Sequence, residues 1–360
     1  MRSLIIKAFM VVTALSFSVV SAAGAPEIIA DLQANPDLRT DPRQLWIGWA
    51  PDGQRLVYVT ESRQLMLLDL TDPAHPRPVS ARTGYAPRFR PDGKAVAFTG
   101  IRTEAGRTLN TLYLQRLDGG APVDLLPGDL AVQSVSTAKM IHRWLDAKRL
   151  SYEEHMGTGI QQLFLLDVPT RTLSTQGSLI ATRFQWSANG RRVAGHVTCC
   201  PSRFWIWDRL QRQFVIPAES PAGPSQRWFE AFSDDGQQAL FTEWTGKQAY
   251  DAQARAPLFR LEITTARTVT LAENGILAAW SGDLVAYVKV ENTMTLVVAK
   301  AQDGQPVWTE NLGAVPDRFD IHHWEYQPQF AGPFLFFRAG DGRWRVSPAD
   351  RKQVQIVYPG

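Results

Sequence analysis

The chain has 360 residues, of which 44% are hydrophobic, 20% charged and 10% aromatic, with 12 Trp among them. That composition supplies a sizeable core and excludes a disordered chain. A formal net charge of +3 leaves none of the basic excess that a nucleic-acid binder carries, and 23 Pro and 26 Gly spread along the sequence indicate many turns and many short strands.

The N-terminus opens with Arg2 and Lys7, runs apolar from Ala8 to Val20 and reaches small residues at Ser21-Ala22-Ala23. The run is shorter than the roughly 20 residues a bilayer-spanning helix needs, and Val20-Ser21-Ala22 has the small-x-small pattern of a cleavage site. Residues 1–22 are therefore expected to be a secretory signal and 23–43 an N-terminal extension before a domain spanning 44–360. No Cys stands near the cut to accept a lipid, and no second apolar run of that length follows. The expected product is periplasmic or secreted, without a transmembrane segment. Removing Arg2 and Lys7 leaves 36 basic residues against 35 acidic, a net charge of about +1.

From Gln44 onward one phrase recurs. Trp49-Ala50-Pro51-Asp52-Gly53 precedes Arg55-Leu56-Val57-Tyr58-Val59, and Phe89-Arg90-Pro91-Asp92-Gly93 precedes Ala95-Val96-Ala97-Phe98. Trp186-Ser187-Ala188-Asn189-Gly190 and Phe232-Ser233-Asp234-Asp235-Gly236 repeat the pattern, and weaker copies stand at Trp144, Trp280 and Phe330. The anchors at 49, 89, 144, 186, 232, 280 and 330 are spaced by 40, 55, 42, 46, 48 and 50 residues. Asp-Gly or Asn-Gly pairs accept positive φ and make hairpin turns, so each anchor should close one strand and open a second. Third strands follow at 64–69, 111–114, 162–167, 204–208, 257–261, 294–298 and 342–346, and short fourth strands at 214–216 and 354–357. Four strands at this period predict an all-β, seven-bladed β-propeller of four-stranded antiparallel blades. Six blades would result if the last copy, which lacks the Asp, were an appendage.

The phrases at 49, 89 and 232 resemble the repeat of the TolB-like, or WD-like, propeller family over about 310 residues. The resemblance implies the propeller fold and leaves function open, because the family includes envelope binding proteins, peptidase propellers and sugar-acid lyases. The chain is expected to lack the α/β domain that precedes the propeller in the family's namesake. No Gly-x-Ser-x-Gly elbow is present to suggest a peptidase.

In such blades the Asp-Gly turns share one face, and the second-to-third and blade-to-blade connections share the other. The longer connections expected on that second face are 100–110, 153–159, 198–203, 243–256, 127–135, 218–227 and 311–326, and long loops on a rigid scaffold concentrate binding residues. The candidate ligand-binding residues there are Glu153, His155, Arg203, Trp244, His322, His323 and Trp324. The six His do not fall at one phase of the repeat, so no catalytic set, metal site or cofactor is assigned. Cys199-Cys200 forms either a strained vicinal bridge or two thiols, since adjacent Cα atoms lie about 3.8 Å apart, below the usual disulfide range of about 4.4 to 6.8 Å. The expected function is non-catalytic binding of a protein or peptide partner in the cell envelope. The alternatives are a lyase or hydrolase acting on a polysaccharide fragment, and a glycan-binding module.

Overall fold

A computed structural model describes residues 48–356, apart from Gly53, Glu61, 70–71, 105–106, 127–138, 156–160, Thr182, 198–202, 217–225, 245–255, 316–326, Gly332 and 341–343. The first blade comprises β1 (Gly48–Trp49), β2 (Arg55–Val59), β3 (Leu65–Asp69) and β4 (Asp72–Pro78). The second comprises β5 (Gly84–Phe89), β6 (Ala95–Glu104), β7 (Arg107–Arg116) and β8 (Val123–Asp124), and the third β9 (Lys139–Trp144), β10 (Arg149–His155), β11 (Gln161–Asp167) and β12 (Thr172–Ala181). In the fourth are β13 (Arg183–Trp186), β14 (Arg192–Val197), β15 (Arg203–Asp208) and β16 (Gln213–Ile216). The fifth holds β17 (Gln226–Phe232), β18 (Gln238–Trp244), β19 (Leu258–Glu262) and β20 (Arg267–Ala272). The sixth runs β21 (Ile276–Ser281), β22 (Leu284–Val290), β23 (Thr293–Lys300) and β24 (Pro306–Ala314), and the seventh β25 (Gln329–Ala331), β26 (Phe334–Arg338), β27 (Trp344–Pro348) and β28 (Gln355–Ile356).

Every sheet is four consecutive antiparallel strands, so the protein is a seven-bladed β-propeller and the last repeat is a complete blade. Among the described residues no strand is exchanged between blades. The first strands of successive blades approach one another and surround the central channel. Apolar clusters lie between blades rather than within them. Val57, Leu65 and Leu67 of the first blade pack on Val96, Phe98 and Tyr113 of the second, and Leu163, Leu165 and Leu179 of the third on Phe184, Trp186 and Trp205 of the fourth.

The repeated phrase builds a self-satisfied hairpin. Asp52, Asp92, Asn189 and Asp235 each accept the backbone N–H two residues on, at 2.9 to 3.0 Å. Ser187 and Ser233, next to their anchors, donate to Asn189 and Asp235 and accept the N–H of Arg192 and Gln238. Gly236 has φ of +66°, and a Cβ there would come within 2.7 Å of Ser187 in the neighbouring blade's hairpin, so both conformation and space require glycine.

Neighbouring blades are also stapled by polar side chains. Trp144 Nε1 donates back to the Arg88 carbonyl at 3.2 Å, and Trp186 Nε1 back to Ser151 Oγ at 2.7 Å. Arginines reach forward, from Arg88 to the His142 carbonyl at 2.9 Å, from Arg143 to the Ser187 carbonyl at 2.5 Å, and from Arg260 to the Ala301 carbonyl at 2.8 Å.

Two expectations about connections need correcting. The segment 100–110 is mostly strand, because β6 and β7 keep pairing through Ile101↔Asn110 and Arg102↔Leu109 out to Glu104↔Arg107. The connection expected at 243–256 begins later, since Glu243 and Trp244 still pair with Arg227 and Gln226. Cross-strand pairing continues in both cases where polar composition had suggested loop.

Two stability measurements follow from this packing. Gly195 of β14 lies opposite Trp205 of β15, and a Cβ would fall 1.9 Å from the indole. Gly195→Ala should therefore cost about 1 to 3 kcal/mol in a chemical-denaturation titration; an unchanged midpoint would refute this packing. Asp208 is buried beside Arg191, at 2.8 Å. Burial opposes its charged form, but the N–H groups of Gln211 and Leu210 and the Arg191 guanidinium outweigh it and hold the carboxyl below its ordinary range. This stabilisation is present above the unfolded-state pKa of about 3.9 and is lost as pH falls through the depressed folded value, so Asp208→Asn should narrow the stability gap between pH 7 and pH 3.

Candidate functional site

The innermost strands carry β-bulges that no periodic pattern predicts. In the third blade Ser151 pairs with Arg143 and Tyr152 with Ile141, which leaves His142 as the extra residue. In the fifth, Phe229 pairs with Phe241 and Ala231 with Leu240, which leaves Glu230. A bulge re-aims the unpaired side chain. His142 Nε2 meets Glu153 Oε2 at 2.8 Å, and the Glu230 carboxylate accepts the backbone N–H of Ala278 in the next blade at 3.1 Å. Lys139 and Glu154, on the same two strands as His142 and Glu153, form a second buried pair at 3.4 Å.

Glu153 therefore lies within β10 and not in a loop, with its carboxylate committed to His142 and only 5% of the residue exposed. His155 ends the same strand, opposite Gln161. Arg203 begins β15 opposite Val197 and is half-buried. Trp244 ends β18, and its indole is buried with Ile276, Val288, Leu312 and Leu335 of the sixth and seventh blades. Its large apolar ring is worth more in an inter-blade core than in water, which is why it joins the core rather than a loop. His322, His323, Trp324, Cys199 and Cys200 lie outside the described residues. Of the expected residues, Glu153 gains a described titratable partner, His142.

The face opposite the Asp-Gly hairpins carries an open groove of about 1050 Å³ at the sixth blade. Asn274 lies in the connection from β20 to β21, Glu291 and Asn292 in the turn from β22 to β23, and Val315 just beyond β24, with Tyr287 and Thr309 also in the lining. Asn274 Nδ2 donates to the Val290 carbonyl, and Lys289 pairs with Glu291 at 2.8 Å. Burial raises the Tyr287 phenol above its ordinary pKa. Val315 leads directly into the connection that bears His322, His323 and Trp324. Among the described residues no group of three His, Cys, Asp or Glu could hold a metal.

With this architecture the chain is a seven-bladed β-propeller, and its structural neighbours include TolB and the propellers of peptidases. No protein-family model matches it, and no curated protein matches it. Among solved structures it is similar to an oligogalacturonate lyase in complex with manganese, at 13% identity over 89% of this chain and 90% of the lyase, with a TM-score of 0.56. A puromycin hydrolase is similar at 16% identity over 81% of this chain, with a TM-score of 0.52, and the match spans 47% of the hydrolase. TolB from Acinetobacter baumannii is matched at 16% identity over 73% of this chain, with a TM-score of 0.40, and 61% of TolB is spanned. These likenesses are of fold. Among the described residues no helix is long and apolar enough to cross a membrane.

If the His142–Glu153 pair is part of the framework, Glu153→Ala should destabilise the fold by about 3 kcal/mol, the cost of stranding one member of a buried pair. Denaturation that leaves the variant within error of the wild type would show that the pair adds nothing net to the stability of the fold.

Proposed function

We propose that the protein is an exported, non-catalytic propeller that binds a protein or peptide partner in the cell envelope through the face opposite its Asp-Gly hairpins. The groove at the sixth blade carries this reading. It is open, it is lined by both polar groups and apolar surface, and its Val315 edge continues into the connection bearing His322, His323 and Trp324. An extended peptide laid in it would meet the Asn274 and Asn292 amides and the Lys289–Glu291 pair, groups suited to main-chain hydrogen bonds. Residues 1–22 serve as the export signal in this reading. His155 and Arg203 are proposed as further contacts on the same face.

Cross-linked affinity capture from the envelope tests the reading. A partner recovered with wild type, and reduced at least about tenfold by Lys289→Glu or by the combined His322→Ala, His323→Ala and Trp324→Ala variant, supports it, the loss corresponding to hot-spot contacts. A partner retained by both variants moves the interface elsewhere. A stoichiometric divalent metal in chelator-free protein with turnover of a polysaccharide fragment would replace the binding reading with an enzymatic one.

A further inference from the structure

The channel holds a second feature, at the hairpin end and away from the groove. A cavity of about 390 Å³ is lined by Gly48, Arg88, Arg143 and Trp144, together with the hairpin residues Pro51 and Pro91. A second, of about 370 Å³, has Arg143 in its lining as well and continues around the axis past Gln185, Ala279 and Gln329. Together they draw on the innermost strands of all seven blades, so they form the hairpin-side mouth of the central channel.

Arg88 and Arg143 are both half-buried there, and among the described residues neither is paired with a carboxylate. Arg88 donates to the carbonyls of His142 and Pro87, and Arg143 to those of Trp144, Ser187 and Ala188. These bonds hold the two guanidiniums still and neutralise nothing, and each group has five N–H donors, so donors remain over. Burial, and after it the charge of Arg143, pushes the Arg88 guanidinium down to about 10, while burial alone lowers Arg143. Two like charges near enough to repel, fixed by neutral carbonyls in a partly desolvated cavity, are costly unless an anion joins them. Gln185 lines the second cavity beside Arg143, and its amide NH2 is a neutral donor that an oxyanion can accept from. Asp234 lines the second cavity too, but it lies exposed, with its carboxylate accepting the Gly282 N–H at 2.8 Å.

We propose that the hairpin-side mouth of the channel is a binding site for a small oxyanion, a phosphate or a carboxylate, held by Arg88 and Arg143 with the Gln185 amide beside them. A planar guanidinium fork matches either group bidentately, and the cavities are large enough for a small organic acid and too small for a folded partner. Seven inner strands converging on one axis give the site its rigidity, since each guanidinium is fixed by carbonyls of its own strand and of the next blade.

Calorimetric titration of the full-length protein at low ionic strength, with inorganic phosphate and separately with malate, tests the site. Trp144 and Trp280, in the cavity walls, provide a fluorescence readout of the same event. Wild type should bind at least one probe saturably at one per chain, while potassium chloride at matched ionic strength gives no saturable signal. Binding of phosphate alone would assign a phosphate ligand, and binding of malate alone a carboxylate. Arg143→Gln and Arg88→Gln should each weaken binding by about tenfold or more, the loss of a charge-assisted hydrogen bond. Both variants also remove inter-blade bonds, so Gln329→Glu serves as a second test. Gln329 is exposed in the cavity wall, and the added carboxylate should weaken binding by repulsion without disturbing the fold. Absence of saturable binding of either probe to wild type, or wild-type affinity in Gln329→Glu, would overturn the proposal.

Discussion

A four-stranded sheet that is apolar on both faces is unstable until both faces are covered, and in this protein each blade is covered by its neighbours. Among the described residues the apolar clusters cross from one blade to the next, as where Ala97 and Leu112 of the second blade meet Ile141 and Leu150 of the third. Hydrophobic burial is non-directional and would tolerate some sliding of sheet on sheet. The polar staples remove that freedom, because Trp144 and Trp186 reach back one blade while Arg88, Arg143 and Arg260 reach forward. Their partners are mostly backbone carbonyls, whose positions are set by the strand ladders themselves.

The same requirement explains the bulges. An innermost strand runs beside the crowded axis, and an extra residue lets it twist there while turning one side chain toward a blade interface. In the third and fifth blades that side chain is ionisable, His142 and Glu230, and each finds its partner in the sheet rather than in solvent. Buried ionisable groups beside a channel resemble catalytic machinery when met in a sequence. Here they are satisfied within the framework: Glu153 answers His142 and Glu154 answers Lys139 inside the third blade, while Glu230 reaches the next blade and accepts the buried Ala278 N–H where β21 pairing is interrupted.

The two ends of the propeller differ in chemistry. On the hairpin side, loops are short and their polar groups are largely consumed locally by Asx and Ser bonds, while Arg88 and Arg143 stand at the channel mouth with no carboxylate partner among the described residues. On the opposite side the connections are longer, and Tyr287, Asn274 and Lys289 line an open groove. A smaller site bearing two guanidiniums and a larger groove of mixed lining suit different ligands, a small anion and a polypeptide segment. Both sit on the same rigid frame.

Much of the fold was legible in the chain because its signals are local. In the four fullest copies the aromatic, the Asp or Asn, and the Gly act within five residues, and the third strand predicted at 162–167 is observed at Gln161–Asp167. Blade number and strand order also followed from the sequence, since each blade consists of consecutive strands. The candidate site was less legible, for a physical reason. Glu153 and Trp244 sit at the polar-looking ends of strands, and whether such an end is loop or ladder depends on the partner strand, as with Gln226 opposite Trp244. The pairing of His142 with Glu153 depends on a bulge, and the approach of Arg88 to Arg143 depends on the packing of the second blade against the third. Sequence alone determined the repeating unit through short-range turn chemistry; only the tertiary structure decided which charges meet, because those contacts join residues on different strands and blades.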